Sequence, residues 1–386
     1  MSGLIVPSDH PNVLLICTDH WSDLLNPVVI APTIDQLAGC GTRYTNAYST
    51  CPVSIPARRS LMTGLKPRSH GDRVFNERLP MPDVPTLAQR FRDAGYQAYA
   101  VGKLHVYPQR DRIGFDDVLL EEHGRHHLGG GADDYELFVA DEGFPGQEYA
   151  GGMSHGDFLA RAWHLPERCH PINWAAARMC RTIHRRDPTK PAFWYLSFSA
   201  PHPPLTPLPT YIDMYRRTAI DPPTVGDWSR DPRERPWLCN YLNSNRALQG
   251  ATTHEVEWAR RAFYAACTHV DHQIRVVIGT LREEGLLDNT ILAFTSDHGH
   301  MCGEHGLWTV MLMYEMVTRI PLIVVPTAGD DRLGGPGAVD DRLVEFGDIH
   351  NFRIYICPIR IGCFRTIGLS RAHLLRQAFQ FAAAFR

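Results

Sequence analysis

Four short apolar runs in this chain each end in a cluster of polar, chemistry-bearing residues, and that recurrence restricts the fold more than any other feature. Val13-Leu14-Leu15-Ile16-Cys17 runs into Thr18-Asp19-His20, and Tyr96 to Val101 runs into Gly102-Lys103-Leu104-His105. Ala192 to Phe198 leads to Ser199-Ala200-Pro201-His202, and Thr290 to Thr295 leads to Ser296-Asp297-His298-Gly299. A continuous apolar run of this length suits a strand buried on both faces of a parallel sheet. Parallel strands point one way, so their carboxyl ends share the edge at which open α/β sheets bind ligands. Ile320 to Val325 reads as a fifth strand. Helices are expected at Pro32 to Gly39 with Thr33 as N-cap, at Pro85 to Ala94 closed by Gly95, and at Val256 to Gly285. This alternation predicts an α/β fold with a largely parallel central sheet and helices on both faces.

Bulk properties remove several function classes. The 386 residues are 44% apolar and 21% charged, which is ample for a large core. Lys plus Arg (39) nearly balances Asp plus Glu (42), so no whole-molecule field points to nucleic acid or a membrane surface. The ten cysteines show no CxxC pair and no zinc spacing, and in a chain this long they read as reduced thiols. No basic region followed by an apolar run opens the chain, and no stretch of about 18 uncharged apolar residues follows. The expectation is a cytoplasmic protein without a membrane span. The segments from about 106 to 190 and from 203 to 249 have weak periodicity and read as loops over the site.

A second feature is more specific. Ser54-Ile55-Pro56-Ala57-Arg58, followed by Leu61-Met62-Thr63-Gly64, resembles the signature [C/S]-x-P-x-R-x-x-x-[apolar]-T-G of the formylglycine-dependent, type I sulfatases of the alkaline phosphatase superfamily. Other pieces fall in that family's order. Asp19-His20 resembles its first metal-binding pair, Gly102-Lys103-Leu104-His105 its G-K-x-H element, and Pro201-His202-Pro203-Pro204 its P-H-x-P element. Ser296-Asp297-His298-Gly299 with Gly303-Glu304-His305-Gly306-Leu307-Trp308 resembles the second metal motif, continued by Tyr314-Glu315 and Arg319-Ile320-Pro321. The likeness runs from about 11 to 349.

The resemblance implies hydrolysis of a sulfate ester. In the family the signature residue, here Ser54, is oxidised to formylglycine, whose hydrated gem-diol attacks sulfur. Arg58 would hold the hydrate, Lys103 would pair with a sulfate oxygen, His105 would take the proton that collapses the hemiacetal ester, and His202 would assist the leaving oxygen. Asp19, Asp297 and His298, with Ser54 and with His20 as a further candidate, would hold a divalent cation. His20 stands where the family often has Asp or Gln, so a packing role is its alternative. Calcium is the family's usual ion, and oxygen ligands suit calcium or magnesium while the imidazoles admit manganese. Asn76 is a candidate substrate contact. The implied partners are a small-molecule or carbohydrate sulfate ester and a maturation enzyme that acts on Ser54.

Three departures temper the activity. Position 54 is Ser rather than Cys, which in this family calls for a radical-SAM maturation enzyme; unmodified, it stays a weak alcohol. Val310 stands where the family usually has Lys, and loss of that cation weakens anion binding by about 1–3 kcal/mol. A catalytic domain is expected over 1–349, with an atypical tail over 350–386 in place of the family's small C-terminal sheet subdomain, as in a truncation or frameshift. The alternatives are a phosphonate monoester or phosphodiester hydrolase of the same fold, or an impaired relative.

Overall fold

The computed structural model describes residues 10–25, 27–122, 125–148, 151–153, 159–231, 233–244 and 251–350. The atypical tail expected beyond 350 lies outside the described residues. The predicted strands are present as β1 (Asn12–Thr18), β3 (Gln97–Gly102), β5 (Ala192–Ser197), β6 (Thr290–Ser296) and β7 (Leu322–Val325). Three more were not expected: β2 (Thr42–Tyr48), β4 (Asp117–Leu120) and β8 (Ala338–Glu345). Their sequences lack the continuous apolar run that marked the others, because all three lie toward the sheet margins and bury fewer residues.

The eight strands form one sheet in the order β4-β3-β5-β1-β6-β7-β2-β8. β4, β3, β5, β1 and β6 run parallel, and β7 is antiparallel to both of its neighbours. The fold is therefore α/β with a largely parallel central sheet, as expected.

Alternation along the central strands splits the interior into two cores. Leu14 and Ile16 of β1 with Trp194 and Leu196 of β5 face one layer, built on Ile172 to Ile183 and Phe263 to Leu281. Val13, Leu15 and Cys17 with Phe193 and Tyr195 face the other, built on Ala57, Leu61, Leu87 and Phe91. Residues two apart on a strand share a face, so an apolar run is what a sheet covered on both sides needs. Full burial of each such side chain is worth about 1.5–3 kcal/mol.

The helix over Thr253–Glu283 starts with a capping box in which Thr252 and Glu255 satisfy each other's backbone N–H groups. The segment expected to be loops contains a helix, Pro171–His184, capped by His170 and carrying Pro at its first turn. Its buried face carries Ile172, Trp174, Met179 and Ile183 together with the small Ala175 and Ala176. Similarly, Pro209–Arg216 and Trp237–Ser244 are helical within the second expected loop region.

Two buried histidines away from the strand ends make stability depend on pH. Burial, with the Arg59 charge adding to it, lowers His70 from its ordinary 6.5 to about 4. Burial, together with His170 and His272, holds His269 well below the same value. As pH falls through 6.5 the unfolded chain binds protons that the native state refuses, so this stability is complete above 6.5 and declines below it. For His70 the loss reaches up to about 3 kcal/mol once the pH nears its folded value. Urea unfolding over that range should show the decline, and His70→Gln should make it shallower; an unchanged slope in the variant would contradict the assignment.

Candidate active site

The register of the four central strands decides where the polar clusters go. Gly102 pairs with Ser197, Ser197 with Cys17, and Thr18 with Ser296. Backbone bonds continue past the strand ends: Lys103 N–H donates to Ser197 O at 3.0 Å, Asp297 N–H to Thr18 O at 3.0 Å, and Asp19 N–H to Ala200 O at 3.3 Å. Lys103, Asp19 and Asp297 are thereby fixed at one edge. Gly102 is required there, because a Cβ at that position would lie 1.8 Å from the Ser197 carbonyl oxygen at a φ of +100°.

Ser54 approaches this edge on the helix Ser54–Thr63. It is the first helical residue, with Val53 in the N-cap position. The helix start still directs backbone N–H groups without intrahelical partners toward the site. Every residue of the helix is buried, including two arginines that leave in different directions. Arg59 donates to the Pro80 carbonyl. Arg58, one turn after Ser54, enters the site. Its Nε donates to Asp297 Oδ2 at 2.9 Å, and Nη1 donates to Lys103 O at 2.9 Å, Ser197 Oγ at 2.6 Å and Tyr195 OH at 3.2 Å.

Ser54 Oγ lies 3.1 Å from Asp19 Oδ1 and 3.0 Å from His298 Nε2. His298 Nδ1 donates to Gly299 O at 2.8 Å, which leaves Nε2 as an acceptor. Two acceptors therefore face one hydroxyl proton. An unmet lone pair among Asp19, Asp297 and His298, whose ligand atoms all lie within 4.8 Å of one another, fits a divalent cation. His20 groups with Asp19 and His202 instead, again within 4.8 Å.

The electrostatics agree with this arrangement. Burial alone would raise the Asp19 carboxyl, but Lys103, His20, His202 and Arg58 outweigh it and hold the group well below the usual carboxylate range. Lys103 Nζ pairs directly with Asp19 Oδ2. Asp297 is pushed upward by burial and by the charge of Asp19, against Arg58. Two buried carboxylates this close resist ionising together unless more positive charge is present. Burial, aided by Lys103, Arg125 and Arg58, keeps His105 neutral, well below its ordinary value.

The structure thus brings together Asp19, His20, Ser54, Arg58, Lys103, His105, His202, Asp297 and His298. Asn76 is exposed, and its Oδ1 accepts the Arg78 N–H of its own turn at 3.1 Å. Val310 is buried among Cys239, Met301, Leu307 and Leu312, in apolar surroundings rather than among the cations.

Several residues at the site were not anticipated. Tyr195 and Ser197 hold Arg58 from alternate positions on β5, a period-2 signal that the apolar run concealed. Glu122, just beyond β4, accepts the Leu104 N–H at 3.0 Å and the adjacent His105 N–H, while Arg125 donates to its other oxygen at 2.9 Å. This clamp fixes the turn that carries Lys103 and His105, where His105 has a φ of +63°. The unrecognised strand β4 ends in a polar cluster as the other four do. Because Glu122 and Arg125 are both buried, Glu122→Ala should cost roughly 3–5 kcal/mol in urea unfolding. A loss no larger than that of an exposed pair, below about 1 kcal/mol, would contradict the clamp.

Comparison with known proteins follows the same lines. A family model described as sulfatase matches residues 11–332. An arylsulfatase of Clostridium perfringens is 33% identical over 356 residues, which cover 88% of this chain and 73% of the relative. A choline-sulfatase of Rhizobium meliloti is 27% identical over 339 residues, covering 81% of this chain and 62% of that protein. Among solved structures, a phosphonate monoester hydrolase of Agrobacterium radiobacter superposes with a TM-score of 0.71 at 24% identity, over 88% of this chain and 72% of the other. A protein in complex with its substrate D-glucosamine-2-N,6-O-disulfate superposes with a TM-score of 0.67 at 19% identity, over 92% and 78%. The described strand-end site and the matched span together make this chain a member of the sulfatase family, the hydrolases of sulfuric esters.

Proposed function

We propose that this chain hydrolyses a carbohydrate or small-molecule sulfate monoester at Ser54, beside a divalent cation, calcium first among the candidates, held by Asp19, Asp297 and His298. The observation that carries this reading is the position of Ser54 Oγ, 3.1 Å from Asp19 and 3.0 Å from His298 at the start of a helix. When bound, the cation supplies Lewis-acid charge that polarises oxygen atoms at the reacting centre. Conversion of Ser54 to formylglycine by a maturation enzyme is part of the proposal, since a hydrated aldehyde is a better source of the attacking oxygen than a plain alcohol.

The remaining roles fall to the chain's own residues. Lys103 and Arg58 concentrate positive charge where the sulfate oxygens must sit, in a buried setting where such charge acts strongly. Lys103 then exchanges part of its pairing with Asp19 for the substrate anion. His105 is neutral and half-buried, which suits it to accept a proton from the Ser54-derived oxygen. His202 donates from Nδ1 to Pro203 O at 2.7 Å, so its Nε2 is the nitrogen assigned to the leaving oxygen. A cytoplasmic location belongs to the same proposal. It is supported by free cysteines throughout the described residues, and by the lack of any described helix long and apolar enough to cross a membrane.

Mass spectrometry of the peptide containing Ser54 tests the modification directly: a loss of about two mass units is expected. Unmodified serine in protein without turnover would overturn this reading in favour of an inactive relative. Paired aryl sulfate and aryl phosphonate esters test the reaction class; faster turnover of the sulfate is expected, and the reverse order would select the phosphonate hydrolase. Ser54→Ala should lower kcat by roughly 10³-fold while bound metal stays. Asp297→Ala should lose the resident metal, and unchanged metal content would refute the ligand assignment.

A further inference from the structure

We propose that a cavity bordered by His202 receives the alcohol portion of the ester, and that it selects an alcohol ending in a primary ammonium group. The inference rests on the assignment of His202 to the leaving oxygen, and it names the substrate class for that site.

His202 lines this cavity together with Tyr135, Glu148, Trp163, His170 and His269. Tyr135 comes from the helix Asp134–Asp141 and His269 from the helix Thr253–Glu283. None of these five neighbours of His202 lies at an end of the four central strands or on the helix of Ser54. They form a compartment separate from the cation ligands, Arg58 and Lys103. Its free space is about 40 Å³, a few times the roughly 10–15 Å³ that one water takes, which fits a short aminoalkyl arm.

The polar groups of the wall decide what that arm must carry. Tyr135 OH donates to Cys169 O at 2.8 Å, and Trp163 Nε1 donates to Pro166 O at 3.3 Å. His170 Nδ1 accepts the Ile172 N–H at 3.3 Å, and its Nε2 donates to Thr206 O at 3.2 Å. Two acceptors are left over. The Asn173 side-chain nitrogen donates to Glu167 Oε1 at 3.3 Å, so Asn173 Oδ1 must accept from His269 Nε2–H, 2.5 Å away. His269 is 0% exposed, and its Nδ1 is therefore a buried lone pair with no partner among the described residues. Glu148 Oε2 is also buried without a hydrogen-bond partner among them. Native structures rarely leave such acceptors unmet.

No Lys or Arg is among the described residues that line the cavity. It offers a carboxylate, a neutral imidazole lone pair and aromatic surface from Tyr135 and Trp163. An ammonium group complements all three, with N–H donors for the acceptors and positive charge for the ring faces. A quaternary ammonium supplies the charge but no N–H. A second sulfate or a carboxylate on the alcohol would meet Glu148 with no cation nearby, so the cavity discriminates against anionic alcohols.

The test compares turnover of 2-aminoethyl sulfate with that of propyl sulfate, an uncharged ester of the same length, and of choline sulfate. The ammonium ester should have a kcat/KM about tenfold above that of propyl sulfate, with the difference in KM, and choline sulfate should fall between them. Glu148→Gln keeps the shape and removes the charge, and it should shrink the preference to about twofold or less. Equal values for the first two esters, a preference that Glu148→Gln retains, or choline sulfate ahead of 2-aminoethyl sulfate would overturn the proposal. If none of the esters is turned over, the reaction assigned to Ser54 fails, and calorimetric titration with the same esters still decides the cavity. Binding of 2-aminoethyl sulfate about tenfold tighter than propyl sulfate is then expected, and equal binding would overturn it.

Discussion

Two buried carboxylates at the ends of neighbouring parallel strands set the terms for the rest of this site. Because Thr18 pairs with Ser296, the next residues, Asp19 and Asp297, come side by side where β1 and β6 stop. Two like charges about 4 Å apart repel by about 4 kcal/mol at an effective dielectric constant of 20. Nothing in the sheet can separate them, since the backbone bonds that hold each one also hold the ladder together. The structure answers with cations: Arg58 on Asp297 and Lys103 on Asp19.

That constraint explains why the cationic residues are so firmly held. Arg58 is buried and anchored to three strands through Lys103 O, Ser197 Oγ and Asp297, and Lys103 is anchored through its own backbone to β5. A cation that is free to move lowers its energy by meeting a carboxylate closely; a cation fixed by the backbone keeps its donors where a substrate anion needs them. The same reasoning covers Glu122, which does not face the carboxylates. It accepts consecutive N–H groups of the turn that carries Lys103 and His105.

Much of this was legible in the sequence because strands buried on both faces cannot disguise themselves. β1, β3, β5 and β6 are apolar almost throughout, so the polar residues that follow each one stand out, and parallel pairing brings those ends to one edge. The signature from Ser54 to Gly64 could be read for a different reason: few chains place Ser, Pro, Arg, Thr and Gly at that spacing. The elements that escaped are those whose pattern is mixed. β2, β4 and β8 bury only part of each face, and the helix Pro171–His184 mixes large and small residues on its buried side. With β4 hidden, Glu122 just beyond its end was hidden too. Asn76 was suggested by proximity in the chain alone, and it faces solvent.

The proposed site has two occupants, a cation between Asp19 and Asp297 and an anion next to Ser54 and Lys103. Anomalous diffraction from crystals soaked with manganese and tungstate, a tetrahedral stand-in for sulfate, tests it most directly. A manganese peak is expected among Asp19, Asp297 and His298, and a tungsten peak within hydrogen-bond reach of Ser54 Oγ and Lys103 Nζ. Tungstate bound elsewhere, with no manganese at the two carboxylates, would contradict it.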